Sequence, residues 1–184
     1  HRLLTGLGYT GDLEAQAAAW QARNRVPSDE VAGTLTALFD EAWDRTERVL
    51  PIPAPKSDGM QVMGVSGVAF NARCNYLARK VELNTDPVLT RPGLKHLAVH
   101  ECYPGHYVQF KLREVLYAEG KAPADNLLSV VNTASSSPFE GIADHGLFLL
   151  DWIEGDDDRV QHALTRYRSG IGTVAAWKLH ARGE

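Results

Sequence analysis

Cysteine is scarce. Cys74 and Cys102 are the only two in 184 residues, too few for a disulfide framework, so the fold must rest on a buried core. Long apolar runs are missing as well: nothing approaches the roughly 20 consecutive residues that span a bilayer. Positive charge is not in excess. Nineteen Lys and Arg against 23 Asp and Glu leave a net charge of −4 and a pI near 6.0, which supplies no basic field for phosphates and argues against nucleic acid as a partner. Internal repeats and low-complexity tracts are absent, so solenoids and linker-like disorder fall away. The chain starts at His1, so the lack of a signal peptide carries no information about export. Neither composition nor pattern assigns a compartment or an oligomeric state.

What is present describes a globular, mainly helical chain. Hydrophobic residues make up 44% of it, enough for one good core, with or without a small subdomain. Residues 11–25 are alanine-rich with a polar face, and Ser28 is placed to open a second helix with Val31, Leu35, Leu38, Phe39, Ala42 and Trp43 at helical spacing. Pro51-Ile52-Pro53-Ala54-Pro55 ends that helix in a stiff extended connector. From Met60 to Val68 and from Asn75 to Leu83 the pattern turns to short strands. A long helix is expected from near Pro92, capped by Thr90, to about Tyr117, broken at Pro104-Gly105. Leu127–Val131 reads as a short helix before the serine run 135–137, Pro138 suits the first turn of a helix carrying Glu140 and Asp144, and Asp156-Asp157-Asp158 opens a last helix through Leu179. The expected organisation is an N-terminal helical segment (1–50), a connector with short strands (51–91) and a helical core (92–184).

The chemistry concentrates in His100-Glu101-Cys102-Tyr103-Pro104-Gly105-His106 and Glu140-Gly141-Ile142-Ala143-Asp144. A hydrolytic zinc centre needs two neutral imidazoles, a carboxylate and an open position for water, whose pKa the metal lowers to about 7. A glutamate directly after the first histidine can take the proton from that water, as in H-E-x-x-H enzymes. The spacing departs from that motif, since five residues rather than three separate the histidines. On an unbroken helix His100 and His106 would point about 120° apart. Pro104 cannot donate to the preceding turn and Gly105 tolerates unusual backbone angles, so a kinked turn that swings His106 back is expected. A His-Glu pair on an apolar helix is more often a packed histidine beside a surface acid, and Glu140 and Asp144 alone are more often solvated. A helix built only for packing has no use for Pro-Gly at that point.

These residues resemble a widespread bacterial family of large, mostly helical proteins, regarded as zinc metallopeptidases related to the thermolysin-like gluzincins. That family carries H-E-x-x-P-G-H-x-x-Q and then E-G-W-A. Residues His100 to Gln109 match the first signature; Glu140-Gly141-Ile142-Ala143 matches the second except at Ile142. Asn84 to Pro87, Arg91 to Gly93 and Leu179 to Gly183 are similar to flanking family segments, so the resemblance runs from about residue 75 onward. It implies a helical metallopeptidase-like core with a small antiparallel β element beside the motif helix. It also implies His100, His106 and Glu140 as Zn2+ ligands, Glu101 as general base, and an edge strand, here 75–84, that aligns an extended peptide by strand addition. Asp144, one turn after Glu140, is the carboxylate expected to orient a ligand histidine. His180 is the candidate for stabilising a tetrahedral oxyanion, against the alternative of a helix-end dipole partner. Family members run longer at both ends, and this chain is therefore expected to be a fragment, an excised domain or a reduced member.

The expected function is a zinc-dependent hydrolase acting on a peptide, or on another amide or ester. The alternative is a non-catalytic helical binding or assembly module of the same family. Within the zinc reading, His96 competes, because His96 and His100 could chelate across one unbroken turn; Cys102, His145 and His162 are weaker candidates. For carboxypeptidase action Arg79, Lys80, Arg166 and Arg168 are the cations that could receive a terminal carboxylate.

Overall fold

The apolar stripe of the second helix does what its spacing predicts. In the computed structural model, which describes residues 1–56, 59–128 and 136–183, helix α3 (Val31–Val49) buries Val31, Leu35, Leu38, Phe39, Ala42 and Trp43. Burying such side chains is worth about 1.5–3 kcal/mol each before the entropy of ordering them is counted. The helix does not begin at Ser28: a turn closed by Glu30 N–H donating to Pro27 O (3.0 Å) precedes it, and Glu30 takes the cap position. With 60% helix and 9% strand, the chain is mainly α with a small sheet.

Two compact units are present. The first combines His1–Arg23 with Ile153–Glu184. It holds α1 (Arg2–Gly6), α2 (Leu13–Arg23) and α8 (Asp156–Trp177), the last running into a π turn at Lys178–Arg182. Leu4, Trp20, Val160 and Leu164 form its core, and the Trp20 indole donates to Asp157 Oδ1 at 2.7 Å. The acidic triplet Asp156–Asp158 occupies the first turn of α8, where the helix dipole favours negative charge.

The second unit is Asn24–Trp152. The cut between units thus falls away from the proline-rich connector, because residues 1–23 close their core with the last helix while the connector stays inside the second unit. Besides α3 this unit contains β1 (Gln61–Val65), β2 (Ala72–Asn75), β3 (Lys80–Asn84), α4 (Arg91–Glu101), α5 (His106–Ala118), a 3-10 turn (Ala124–Leu127), α6 (Ser136–Asp144) and α7 (Gly146–Leu149). The rest of the helix expected at Leu127–Val131, and Ser135, lie outside the described residues.

The sheet has the order β1-β3-β2. The expected antiparallel pairing is that of β2 with β3, from Ala72 opposite Leu83 to Asn75 opposite Lys80; β1 joins β3 in parallel, so the sheet is mixed. Val81 and Leu83 of β3 are fully buried. Across the β2–β3 pair Arg73 Nε donates to Glu82 Oε2 at 2.7 Å, a directly opposed charge pair. The proposed edge strand 75–84 is not one strand. Asn75 Oδ1 accepts from Ala78 N–H (3.1 Å), Arg79 adopts φ 51°, and the chain reverses between β2 and β3. The outer edge beside α4 therefore belongs to β2, and β3 is the central strand.

Candidate metal centre

Helix α4 starts as expected, with Thr90 Oγ1 accepting from Gly93 N–H (3.1 Å) and Pro92 in the first turn. It stops at Glu101. Cys102 to Gly105 form a non-helical link in which the Tyr103–Pro104 peptide bond is cis, and α5 begins at His106 with Gly105 at its cap. Gly105 N–H donates to Val99 O at 3.0 Å, six residues back. Its backbone runs so close under the preceding turn that a β-carbon would stand 1.8 Å from the His100 carbonyl oxygen, so only glycine fits. Tyr103 anchors the link, buried between Trp43 (ring centroids 4.9 Å) and Tyr107 (5.5 Å). The break brings the imidazoles of His100 and His106 to 4.8 Å, nearly perpendicular at 86°.

Both rings turn their Nε2 atoms to the same carboxylate. Glu140 Oε2 is 3.4 Å from His100 Nε2, and Glu140 Oε1 is 3.4 Å from His106 Nε2. Bonds of about 2.0–2.1 Å at tetrahedral angles place neighbouring ligand atoms about 3.3–3.4 Å apart. The separations match that edge length, and the donor set of two imidazoles and one carboxylate suits zinc.

The opposite ring nitrogens are held separately. His100 Nδ1 lies 2.9 Å from Asp144 Oδ1. His106 Nδ1 lies 3.1 Å from Gln109 Oε1, while Gln109 Nε2 donates to Phe139 O at 2.9 Å. That donation fixes which end of the amide faces His106: the oxygen can only accept, so His106 carries its proton on Nδ1 and leaves Nε2 bare. Asp144 Oδ1 approaches His100 Nδ1 at ion-pair distance without meeting hydrogen-bond geometry, so at His100 it acts as a neighbouring negative charge that favours the protonated ring. The sequence motif contains Gln109, yet its supporting role depends on Phe139 from another helix and is visible only in three dimensions.

Glu101 is buried at 5% exposure. Burial raises its pKa; His100, His106 and a hydrogen bond from the Cys74 backbone on β2 pull the other way without cancelling it. A carboxyl whose pKa is raised is a better proton acceptor than a solvated one. At His100 burial opposes the charged form, but the contacts with Asp144 and Glu140 outweigh it and raise the pKa to about 10. Glu140 and Asp144 are both lowered, chiefly by their contacts with His100.

An open cleft of about 580 Å³ leads to this cluster. His100, Glu101, His106 and Glu140 line it together with all of β2, Phe110, Arg113 and Phe139. Two groups of metal-capable side chains exist among the described residues: His100, His106 and Glu140, and the competing His96, His100 and Asp144, the ligand atoms of each within 4.8 Å of one another. His96 Nε2 is 3.8 Å from Asp144 Oδ1. The two groups share His100, but His96 and Asp144 do not line the cleft, whereas every member of the first group does. Cys102 is buried and joins neither group. His145 turns Nδ1 to Gly141 O at 2.8 Å. His162 and His180 belong to the other unit, His180 on the exposed π turn.

No protein-family model, curated protein or solved structure matches the chain. The functional reading therefore rests on the residues themselves.

Proposed function

We propose that the chain is the core of a zinc-dependent hydrolase, with a peptide bond as its substrate, resembling the helical gluzincin-like family in its motif. One observation carries the reading: two imidazoles present Nε2 to the two oxygens of Glu140 at 3.4 Å each, while each Nδ1 faces a separate acceptor. Packing alone does not call for that duplicated arrangement.

His100, His106 and Glu140 would hold the cation, which when bound would lower the pKa of water toward about 7 and polarise a carbonyl. Gln109 keeps the His106 imidazole in the tautomer that binds through Nε2, and Asp144 is the carboxylate beside the far nitrogen of His100. Glu101, beside the ligands and on the cleft, takes a proton from the attacking water on its carboxylate and returns it to the leaving amine. β2 presents its outer edge along the same cleft, with the Cys74 backbone on it already meeting Glu101, and an extended peptide can add to the rest of that edge as a strand.

The test is metal content. Purified protein should carry one equivalent of zinc per chain, and His100→Ala, His106→Ala and Glu140→Ala should each lose it; retained zinc in all three would reject the assignment. Hydrolysis of a mixed peptide library, abolished by a chelator, then separates an enzyme from a binding module.

A further inference from the structure

The cleft wall that follows α5 away from His106 carries a cation, Arg113. His106, Phe110 and Arg113 succeed one another at steps of four and three residues and so share a helix face. The Arg113 guanidinium carbon lies 3.9 Å from the Phe139 ring centroid and 5.5 Å from that of Phe110. Phe110 in turn stacks on Tyr76 at 4.3 Å. The other arginine on the cleft, Arg73, is neutralised by Glu82. No carboxylate pairs with Arg113 among the described residues, and its Nε is buried without a hydrogen-bond partner.

A guanidinium held face-on by rings keeps its N–H edge available, and that edge is the part that grips a carboxylate in a two-point contact. Desolvation works against the charge of Arg113, but a guanidinium stays protonated in proteins, so an anion is the partner that relieves the cost. The distances set the reach. Phe110 is 6.2 Å from the His106 imidazole and 5.5 Å from the Arg113 guanidinium carbon, which bounds the separation of imidazole and guanidinium at about 12 Å, the span of three to four extended residues.

We propose that Arg113 is the specificity-determining residue of the cleft and receives a substrate carboxylate, so that the favoured peptides carry one within about three residues of the bond presented to His100, His106 and Glu140. The inference rests on the peptidase reading for its substrate class. Two sources share this chemistry, a C-terminal carboxylate and an acidic side chain, and the test distinguishes them.

Binding is measured by calorimetry on the full chain carrying Glu101→Gln, so that nothing turns over. The probes are N-acetyl-tetraalanine with a free carboxylate, the same peptide as its amide, and an amidated peptide with aspartate at the third position. The free acid should bind about tenfold or more tightly than the amide, as expected for a charge-assisted two-point contact. Arg113→Met, which keeps the contact with the rings, should erase the difference, and Arg113→Lys should retain part of it. A gain only for the aspartyl amide assigns the carboxylate to a side chain. Equal binding of all three probes, a carboxylate preference that survives Arg113→Met, or no binding of any probe overturns the inference. Should Arg113→Met not fold, the acid-to-amide ratio on the Arg113-containing chain decides alone. Zinc content, measured on the same samples, reports on the metal site independently.

Discussion

The α-carbon of Gly105 sits so near the carbonyl of His100 that a β-carbon added to it would be 1.8 Å from that oxygen and 2.4 Å from its carbon. Both positions are main chain, so no rotamer relieves the clash; the link between α4 and α5 must move. Gly105→Ala should therefore destabilise the protein by on the order of 3 kcal/mol or more and displace His106 from His100. Thermal unfolding together with zinc content checks this, and unchanged metal binding in a folded Gly105→Ala protein would show that the tight link does not set the site.

Glu101 lines the cleft beside the ligand histidines without belonging to the set that converges on Glu140. Glu101→Gln keeps the volume and the hydrogen bond to β2 while removing the proton acceptor. Hydrolysis should fall by about 10²–10⁴-fold, the usual worth of general-base catalysis, with zinc content unaltered. A parallel loss of metal would assign Glu101 to coordination instead.

Gln109 accepts from His106 Nδ1 at 3.1 Å while donating to Phe139 O at 2.9 Å. Gln109→Leu removes both bonds and frees the imidazole to take the other tautomer. Zinc affinity, from competition with a chelator of known strength, should weaken by about 10–100-fold. Gln109→Glu, which restores an acceptor, should recover most of it; a purely structural role for the amide predicts no such recovery.

The legibility of the molecule follows the range of the interactions involved. The stripe of α3, the Thr90 cap and the stop at Pro104-Gly105 are local, and the sequence announces each. His100, Glu101, His106, Glu140 and Asp144 stand out by motif and resemblance, and the fold brings all five into one cluster. The sheet was harder. Residues 75–84 read as one strand because the alternation continues through a turn whose only local marks are Asn75 and the positive φ of Arg79, and the parallel union of β1 with β3 depends on a contact distant in sequence. Gln109 and Arg113 acquire their roles from Phe139, on a helix 30 residues downstream of Gln109, which no local pattern encodes. The split into two units is hidden for the same reason: Trp20 finds Asp157 across 137 residues.

Protonation should govern metal uptake. Without a bound cation the His100 pKa is raised to about 10 by Asp144 and Glu140 against the effect of burial, so a proton occupies the ring through neutral pH and zinc must displace it. Between about pH 6 and pH 8 the affinity for zinc should rise by about tenfold per pH unit, with one proton released per ion. Chelator-treated protein should behave oppositely. The raised His100 contributes stability that is complete below its ordinary 6.5 and is lost as pH climbs through about 10, while the lowered Glu140 and Asp144 contribute stability that is present above their ordinary 4.5 and 3.8 and fades as pH falls below them. The contribution of this cluster to apoprotein stability therefore peaks between about pH 5 and pH 6.5, whereas the zinc-dependent gain in melting temperature grows above that window. A zinc gain that is flat with pH contradicts this account.

Gly146 opens α7, directly after the helix that carries Glu140 and Asp144, and lies against α4. A β-carbon there would come within 2.3 Å of Val99 Cγ1 and 3.4 Å of Pro104 Cδ. Gly146→Ala therefore pushes α6 and α7 from the face of α4 on which His100 stands, at a cost of about 1–3 kcal/mol from overpacking. Unlike the Gly105 clash, this one involves a side chain, so it is reversible. Val99→Ala removes the offending methyl groups, and the double variant should be more stable than the sum of the two single losses by at least about 1 kcal/mol. Strict additivity in that cycle would place the cost of Gly146→Ala elsewhere. Zinc affinity should follow the same cycle, falling in Gly146→Ala and recovering in the double variant, because the Glu140 oxygens meet His100 and His106 only while α6 stays seated on α4.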